Sequence, residues 1–366
     1  MRIHFRTSYD RDIDLFDGPG QRILYALFLC ALVAMPVLLG PYLLGELTSL
    51  LIWAMAGLGL MLLVGQTGQI SLGHAAFMAL GAYAVVLLED RAGLPFLVAF
   101  PLAGLICAGA GILLALPTMK LRGIYLAIAT MAVAIMFEDI LLLFPGLTGG
   151  AAGVFAPTIT ILGVEIDRYV SPGRFYWLVL LCTVLATLGY RNLLRSPRGR
   201  AFAAIRDSQV SASAMGIRVA RYRAMAFGIS TFVTGLAGAL MAHFTGIVSF
   251  ETFTIITSIM LLMQIVVGGL GSIHGAFIGA AVIVLLPQVV SAARSGVTDM
   301  LGLGSIAIPG LDSALFGACM ILFILFEPRG IYGIWLKVYT WIDLLPLYRR
   351  DTFKRQTSYA KSERVH

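Results

Sequence analysis

Two stretches of this 366-residue chain place polar residues inside almost wholly apolar surroundings. The first, "GQTGQISLGHAAF", runs from Gly65 to Phe77, between "LLIWAMAGLGLMLLV" and "MALGAYAVVLL". The second, "GGLGSIHGAF", runs from Gly268 to Phe277, and there His-x-Ala-Phe returns. Backbone groups in lipid must be satisfied by protein, so a Gly-rich polar break survives only inside protein or beside a water-filled path. In transporters such breaks bring helix ends and side-chain amides to the solute. The candidate path residues are therefore Gln66, Thr67, Gly68, Gln69, Ser71, Gly73, His74, Phe77 and Met78 in the first stretch. In the second they are Gly268, Gly269, Gly271, Ser272, His274 and Phe277. Helical spacing puts Ser71, His74 and Met78 on one face. The plainer alternative is a turn in which Ser71 caps the next helix and His74 is a hydrogen-bonded packing residue.

Other chemistry is excluded by what the chain lacks. It has no HExxH pair, no GxSxG elbow and no Walker A loop, so it is not expected to hydrolyse ATP unaided or to be an enzyme. No cofactor and no metal are expected. Acids buried mid-helix, which proton- or sodium-driven carriers use, are missing. Glu138 and Asp139 come nearest; they fall late in an apolar run and read as interfacial or helix-paired. The four cysteines, Cys30, Cys107, Cys182 and Cys319, lie in apolar runs without ligand spacing and read as small apolar fillers.

The elements that must position these residues are membrane helices. The chain is 59% hydrophobic and 12% charged, where a soluble domain carries about 25% charged residues. This predicts an all-α, polytopic membrane helix bundle. The net charge of +7 does not point to nucleic acid, because the basic residues sit between apolar runs and no nucleic-acid-binding pattern appears. No cleavable signal peptide is expected. Ten apolar runs are long enough to span: about 23–40, 45–64, 71–88, 94–117, 123–143, 175–190, 224–244, 251–268, 273–291 and 307–326. The 145–173 connection is too rich in Gly, Pro and Thr to cross. With the N-terminus inside, 22 of the 26 Lys and Arg fall on the inside and four outside. That bias predicts cytoplasmic termini in a plasma (inner) membrane, with residues 1–22 and 336–366 as flanking segments and 23–335 as the membrane domain. Small residues at four-residue spacing, Ala103, Cys107 and Gly111 or Gly235 and Ala239, predict close helix packing in the lipid bilayer.

A third stretch, 191–223, is the longest polar segment between spans and holds eight Arg. Phe202, Ile205, Ala212 and Met215 follow helical spacing, with Gly216 as a stop. Arg206 and Asp207 are expected to be exposed. The functional reading is one short helix lying along the membrane and offered to a soluble partner; the alternative is a basic loop held at anionic lipid.

Taken with "LRGIYLAIATMAVA", "LTGG", "SPRGRAFAAIRDSQVSASAMGI", "VVGGLGSIHGAFIGA" and "FEPRGIYGIW", in this order over about residues 45–335, the chain resembles the permeases of ABC importers for branched-chain amino acids, specifically the larger of their two paired permeases. The resemblance implies a second permease subunit, two cytoplasmic ATPase subunits and a periplasmic solute-binding protein as partners. It implies that the segment near 199–216 is a coupling helix, with Arg200, Phe202, Ile205, Arg206, Asp207, Ala212, Met215 and Gly216 as its ATPase-coupling residues. Gly216 matches the importer signature's Gly, but "SASAM" before it carries no acid, so no glutamate role carries over. Urea and short-chain amide importers share this permease type. A stand-alone channel for a small neutral solute is the rival class, and a membrane scaffold a weaker third.

Overall fold

The structure is a computed structural model that describes residues 19–118, 121, 123–161, 163–300 and 330–344, with isolated helical positions between 314 and 325. Among the described residues the helices of six or more residues are α1 (Pro19–Leu38), α2 (Pro41–Met61), α3 (His74–Asp90), α4 (Phe96–Thr118), α5 (Ile124–Leu143), α6 (Pro172–Arg195), α7 (Pro197–Asp207), α8 (Gln209–Ala214), α9 (Val219–Thr245), α10 (Ile255–Gly268), α11 (Ile273–Met300) and α12 (Gly330–Leu344). Among the described residues seven segments are long and apolar enough to cross a membrane: Pro41–Gln66, Phe96–Thr118, Ile124–Leu143, Pro172–Arg195, Val219–Thr245, Phe250–Gly268 and Ile273–Ala292. The apolar part of α1 and the 17-residue α3 are shorter, and most of the tenth expected run, 307–326, lies outside the described residues. The fold is an all-α membrane bundle, and the ten-span count stays an expectation.

Burial sorts the spans into a centre and a periphery. In α2 and α9, 72% and 67% of the most apolar window is buried, against 22% to 33% in the other five. Helix α3 joins this centre: from His74 to Met78 every side chain is buried. An apolar helix buried all round is an interior helix, whereas one with an exposed apolar face meets lipid or a partner. Helix α9 packs against α4, α3 and α2, while α11 and α6 lie on α2. The small residues allow this. A methyl on Gly235 would strike the Cys107 sulfur, one on Gly238 the Met78 carbonyl, and one on Gly111 the Thr231 side chain. In lipid, close backbone approach replaces the hydrophobic drive between helices. The ridges expected at Ala103–Cys107–Gly111 and Gly235–Ala239 are these contact lines.

Peripheral α1 carries Pro36, which has no N–H to bond the carbonyl one turn back and crowds that turn. Helix α6 fills the gap: the Tyr176 hydroxyl donates to the Leu32 carbonyl at 2.8 Å, and the Trp177 indole N–H to the Val33 carbonyl at 3.1 Å.

The polar 145–173 connection does not cross the bundle. It holds a helical turn at Pro145–Thr148, strand β1 (Val154–Phe155), and a hairpin of β2 (Ile159–Ile161) and β3 (Val164–Ile166). β1 pairs antiparallel with β4 (Ile247–Val248), which follows α9. This end of the bundle is opposite the one where α6 passes into α7. The expected helix over 199–216 is two helices. Ser196 caps α7, and Ser208, in extended conformation, stops α7 and caps α8 by accepting from the Ser211 N–H. Ser is a strong N-cap residue, so a second cap inside the segment splits it. Helix α12 also carries regular structure across the expected 335/336 boundary.

Candidate functional site: two glycine breaks and a helix pair at one end of the bundle

The first break begins before the polar residues. Helix α2 widens into a π-helical turn over Leu62–Gln66, and the chain then leaves helical geometry until His74. The Leu63 carbonyl takes the Thr67 hydroxyl at 2.6 Å and the Gln69 N–H at 3.1 Å, and the Val64 carbonyl takes the Gly68 N–H at 3.1 Å. Gly68 sits at φ 68, a conformation L residues rarely adopt. Every polar side chain of the break then finds a partner in the protein. Gln69 donates to the Thr67 hydroxyl at 2.8 Å and accepts from Arg223 Nε at 3.1 Å. Arg223 also donates to the Leu121 carbonyl at 2.9 Å and is 4% exposed. The Leu72 N–H donates to the Thr130 hydroxyl of α5 at 2.9 Å, and the Ala75 N–H to the Ser258 hydroxyl of α10 at 2.9 Å. Helix starts leave N–H groups unpaired, and here neighbouring helices satisfy one of them.

His74 is fully buried. Its Nδ1 lies 2.9 Å from the Ser71 hydroxyl and its Nε2 2.8 Å from the Ser230 hydroxyl, which itself donates to the Gly59 carbonyl at 2.6 Å. One imidazole thus ties α3 to α9 and, through Ser230, to α2. Ser71 serves this chain rather than capping α3, whose N-cap is Gly73. Phe77 and Phe227 pack edge-to-face at 5.9 Å beside the ring. Thr67, Gln69, Ser71, Gly73, Phe77 and Met78 are buried as well, while Gln66 is half-buried and Gly68 exposed.

The second break joins α10 to α11 through Gly269 at φ 119 and Gly271 at φ 83. Gly268 and Gly275 meet backbone to backbone. The Ser272 hydroxyl accepts from the Gly275 N–H at 2.9 Å, an N-cap for α11. His274 is exposed, bonded through Nε2 to the Tyr25 hydroxyl of α1 at 2.7 Å and stacked on Tyr332 of α12 at 5.4 Å. The two histidines therefore belong to separate places, one buried in the centre and one clamped between the outer helices α1 and α12. Phe277 is half-buried on α11.

The breaks nevertheless meet. The Gln66 amide donates to the Gly271 carbonyl at 3.1 Å, and the Gly271 N–H points at the Met61 sulfur at 3.1 Å. Onto this junction comes the third stretch: Arg206 Nη1 donates to the Gly65 carbonyl at 2.6 Å. Phe202, Ile205 and Ala212 face inward, at most 1% exposed, with Phe202 edge-on to Tyr222 of α9 at 6.2 Å. The face turned outward holds Arg200, Asp207, Val210, Met215 and Gly216, with Val210 73% and Met215 81% exposed, and Arg206 is exposed as well although its guanidinium reaches the junction. Gly216 at φ 81 ends the segment.

Several partners escape sequence reading. Ser230, Thr130 and Ser258 are single hydroxyls in apolar helices, and Arg223 counts there only toward the charge bias. Glu89, in the last turn of α3, is buried against His243 of α9, with 3.4 Å between carboxylate and Nε2. Glu138 is half-buried and Asp139 exposed near the far end of α5. Among the described residues no group of three or more potential metal ligands occurs.

The glycine breaks and the α7–α8 pair thus meet at one end of a multi-pass helix bundle. The family model described as "Branched-chain amino acid transport system / permease component" matches residues 42–324. The LivM high-affinity branched-chain amino acid permease protein of Salmonella typhimurium is 32% identical, covering 98% of this chain and 86% of that protein. Its Escherichia coli K12 counterpart is 31% identical over 89% of this chain and 81% of its own length. The LivH permease protein of Salmonella typhimurium is 28% identical over 52% of this chain and 59% of its own. No solved structure matches. The chain belongs to the permease family of branched-chain amino acid transport systems.

Proposed function

We propose that this chain is the LivM-type membrane subunit of a binding-protein-dependent importer, non-catalytic itself, forming with a second permease the path for branched-chain amino acids. Two cytoplasmic ATPases drive it, and a periplasmic binding protein delivers the solute. It lies in the inner membrane with about ten spans and both termini cytoplasmic. The observation that carries this reading is the α7–α8 pair. Its inner face is locked to the spans by Phe202, Ile205 and Ala212, while Val210 and Met215 stand outward without cover. A rigid element with exposed apolar knobs and a basic flank is built for a protein groove. In this reading the glycine breaks border the path, and His74 holds their geometry rather than touching solute.

The test replaces Met215 with Asp. Seated in the ATPase groove, the new carboxylate is desolvated without a partner, at a cost of several kcal/mol. The variant should insert normally, lose its ATPases in a pull-down and lose ATP-dependent leucine uptake. Unchanged ATPase association removes the docking role of this pair. Urea uptake in place of leucine uptake by the assembled wild-type complex assigns the permease to the amide importers instead, and solute flux through the chain alone, without ATP, makes it a channel.

A further inference from the structure

A push on α7–α8 must be passed on to the spans, and the structure holds a side chain placed to carry it. Arg206 lies in the last turn of α7. Its stem passes the first break, where a Cβ on Gly68 would stand 3.7 Å from Arg206 Cγ. Its guanidinium donates to the Gly65 carbonyl at 2.6 Å. The same Nη1 lies 3.2 Å from where a Cβ on Gly271 would be, so the group also abuts the second break. Among the described residues Arg206 has no carboxylate partner. It sits instead at the negative C-terminal end of α2 and its π turn, donating to the Gly65 carbonyl there. Hydrogen bonds with one charged partner are the short, strong ones. Around the contact the two breaks hold each other through Gln66 and Gly271.

We propose that Arg206 is a positioning residue for transport: although the residue is exposed, its guanidinium is turned back onto the bundle and pins the α7–α8 pair to both glycine breaks, so that movement of the pair shifts α2 and α10–α11 together. Glycine makes this possible at each end. A side chain on Gly65 would press on the Gly271 backbone at 2.8 Å, and one on Gly271 on the guanidinium. Phe202 and Ile205 anchor the pair to the bundle by packing, which resists lateral slip but has no direction. The Arg206 bond has both a direction and a defined acceptor.

The inference rests on the importer reading, and the experiment separates their failures. Wild-type and variant chains are assembled with the second permease, the ATPases and the binding protein in proteoliposomes, and leucine uptake, ATP hydrolysis and ATPase retention are measured. Arg206→Met keeps the stem and removes the donors; it should retain the ATPases and hydrolyse ATP within about twofold of wild type while uptake per ATP falls about tenfold. Arg206→Lys, with one ammonium donor for the same carbonyl, should recover part of the loss. Uptake per ATP unchanged in Arg206→Met overturns the proposal. Loss of the ATPases from either variant also overturns it, because it makes Arg206 a docking residue, and so does failure of both variants to insert, which makes it a folding residue. No ATP-dependent uptake by the wild-type complex with leucine or any other solute is a failure of the importer reading itself.

Discussion

Both ring nitrogens of His74 are engaged inside the protein, which favours a packing role over a solute contact. A contact residue for solute needs a free donor or acceptor on a cavity; this ring has neither. His74→Ala should leave the Ser71 and Ser230 hydroxyls short of a partner in an apolar surround, at about 2 kcal/mol. Its signature is a lowered melting temperature in detergent with an unaltered KM for leucine in the protein that survives; a raised KM with normal stability would return His74 to the path. Glu89 and His243 make the second prediction at this scale. The Pro157 carbonyl, 3.2 Å from His243 Nδ1, can only accept, so Nδ1 carries a proton and Nε2 faces the Glu89 carboxylate. His243→Leu leaves the buried Glu89 carboxyl without its polar neighbour, which costs about 1–3 kcal/mol, whereas replacing both residues by Leu removes both buried polar groups. The double variant should therefore melt closer to wild type than His243→Leu does. Equal melting of the single and double variants would mean that the two groups do not depend on each other.

Glycines in the breaks differ in what they are for, and the elements they join show it. A methyl on Gly73 would sit 2.6 Å from the Thr130 carbonyl, a backbone atom that cannot swing away. Gly271 has φ 83 and touches Arg206, whereas Gly68 has φ 68 but is exposed with only ordinary contacts. Gly73→Ala and Gly271→Val should insert and lose uptake, while Gly68→Asn, a residue that tolerates left-handed geometry, should keep most of it. Normal uptake by Gly73→Ala would mean that α3 and α5 can part there without consequence. The same elements show how far sequence reading reaches. Apolar runs locate the helices because lipid enforces them locally, and the inward turn of Phe202, Ile205 and Ala212 follows from helical spacing. Ser208 splits that segment because a cap outweighs an uninterrupted period. The ribbon of Val154 with Val248 and the bond of His74 to Ser230 join residues far apart in the chain, and nothing local in the sequence announces them. The meeting of the two breaks is legible only as a repeated motif; that Arg206 lies against both is not legible at all.

For the whole molecule, the proposed coupling role requires that the end of the bundle carrying α7–α8 face the cytoplasm. Helix α2 runs toward the breaks, α3 runs away from them, and α6 delivers the chain to α7, so the breaks and the α7–α8 pair share one end. The ribbons, with Arg168 and Arg174, occupy the other. The basic residues of 191–223 crowd the first end, and Lys and Arg flanking spans are held on the cytoplasmic side during insertion. Helix direction gathers α7–α8 and the breaks at one end, and the charge bias is the argument that this end is the cytoplasmic one. Two exposed positions test the assignment: Ser213 on α8, and Val170 beside the ribbons, which is 83% exposed. Ser213→Cys and Val170→Cys, each made in a chain freed of its native cysteines, should react oppositely with a membrane-impermeant thiol reagent. Val170→Cys should label in cells whose outer membrane alone is opened, and Ser213→Cys only after the inner membrane is broken. Labelling in the reverse order would turn the bundle over and leave α7–α8 on the side where no ATP is present, and the coupling role of both Met215 and Arg206 would fall with it.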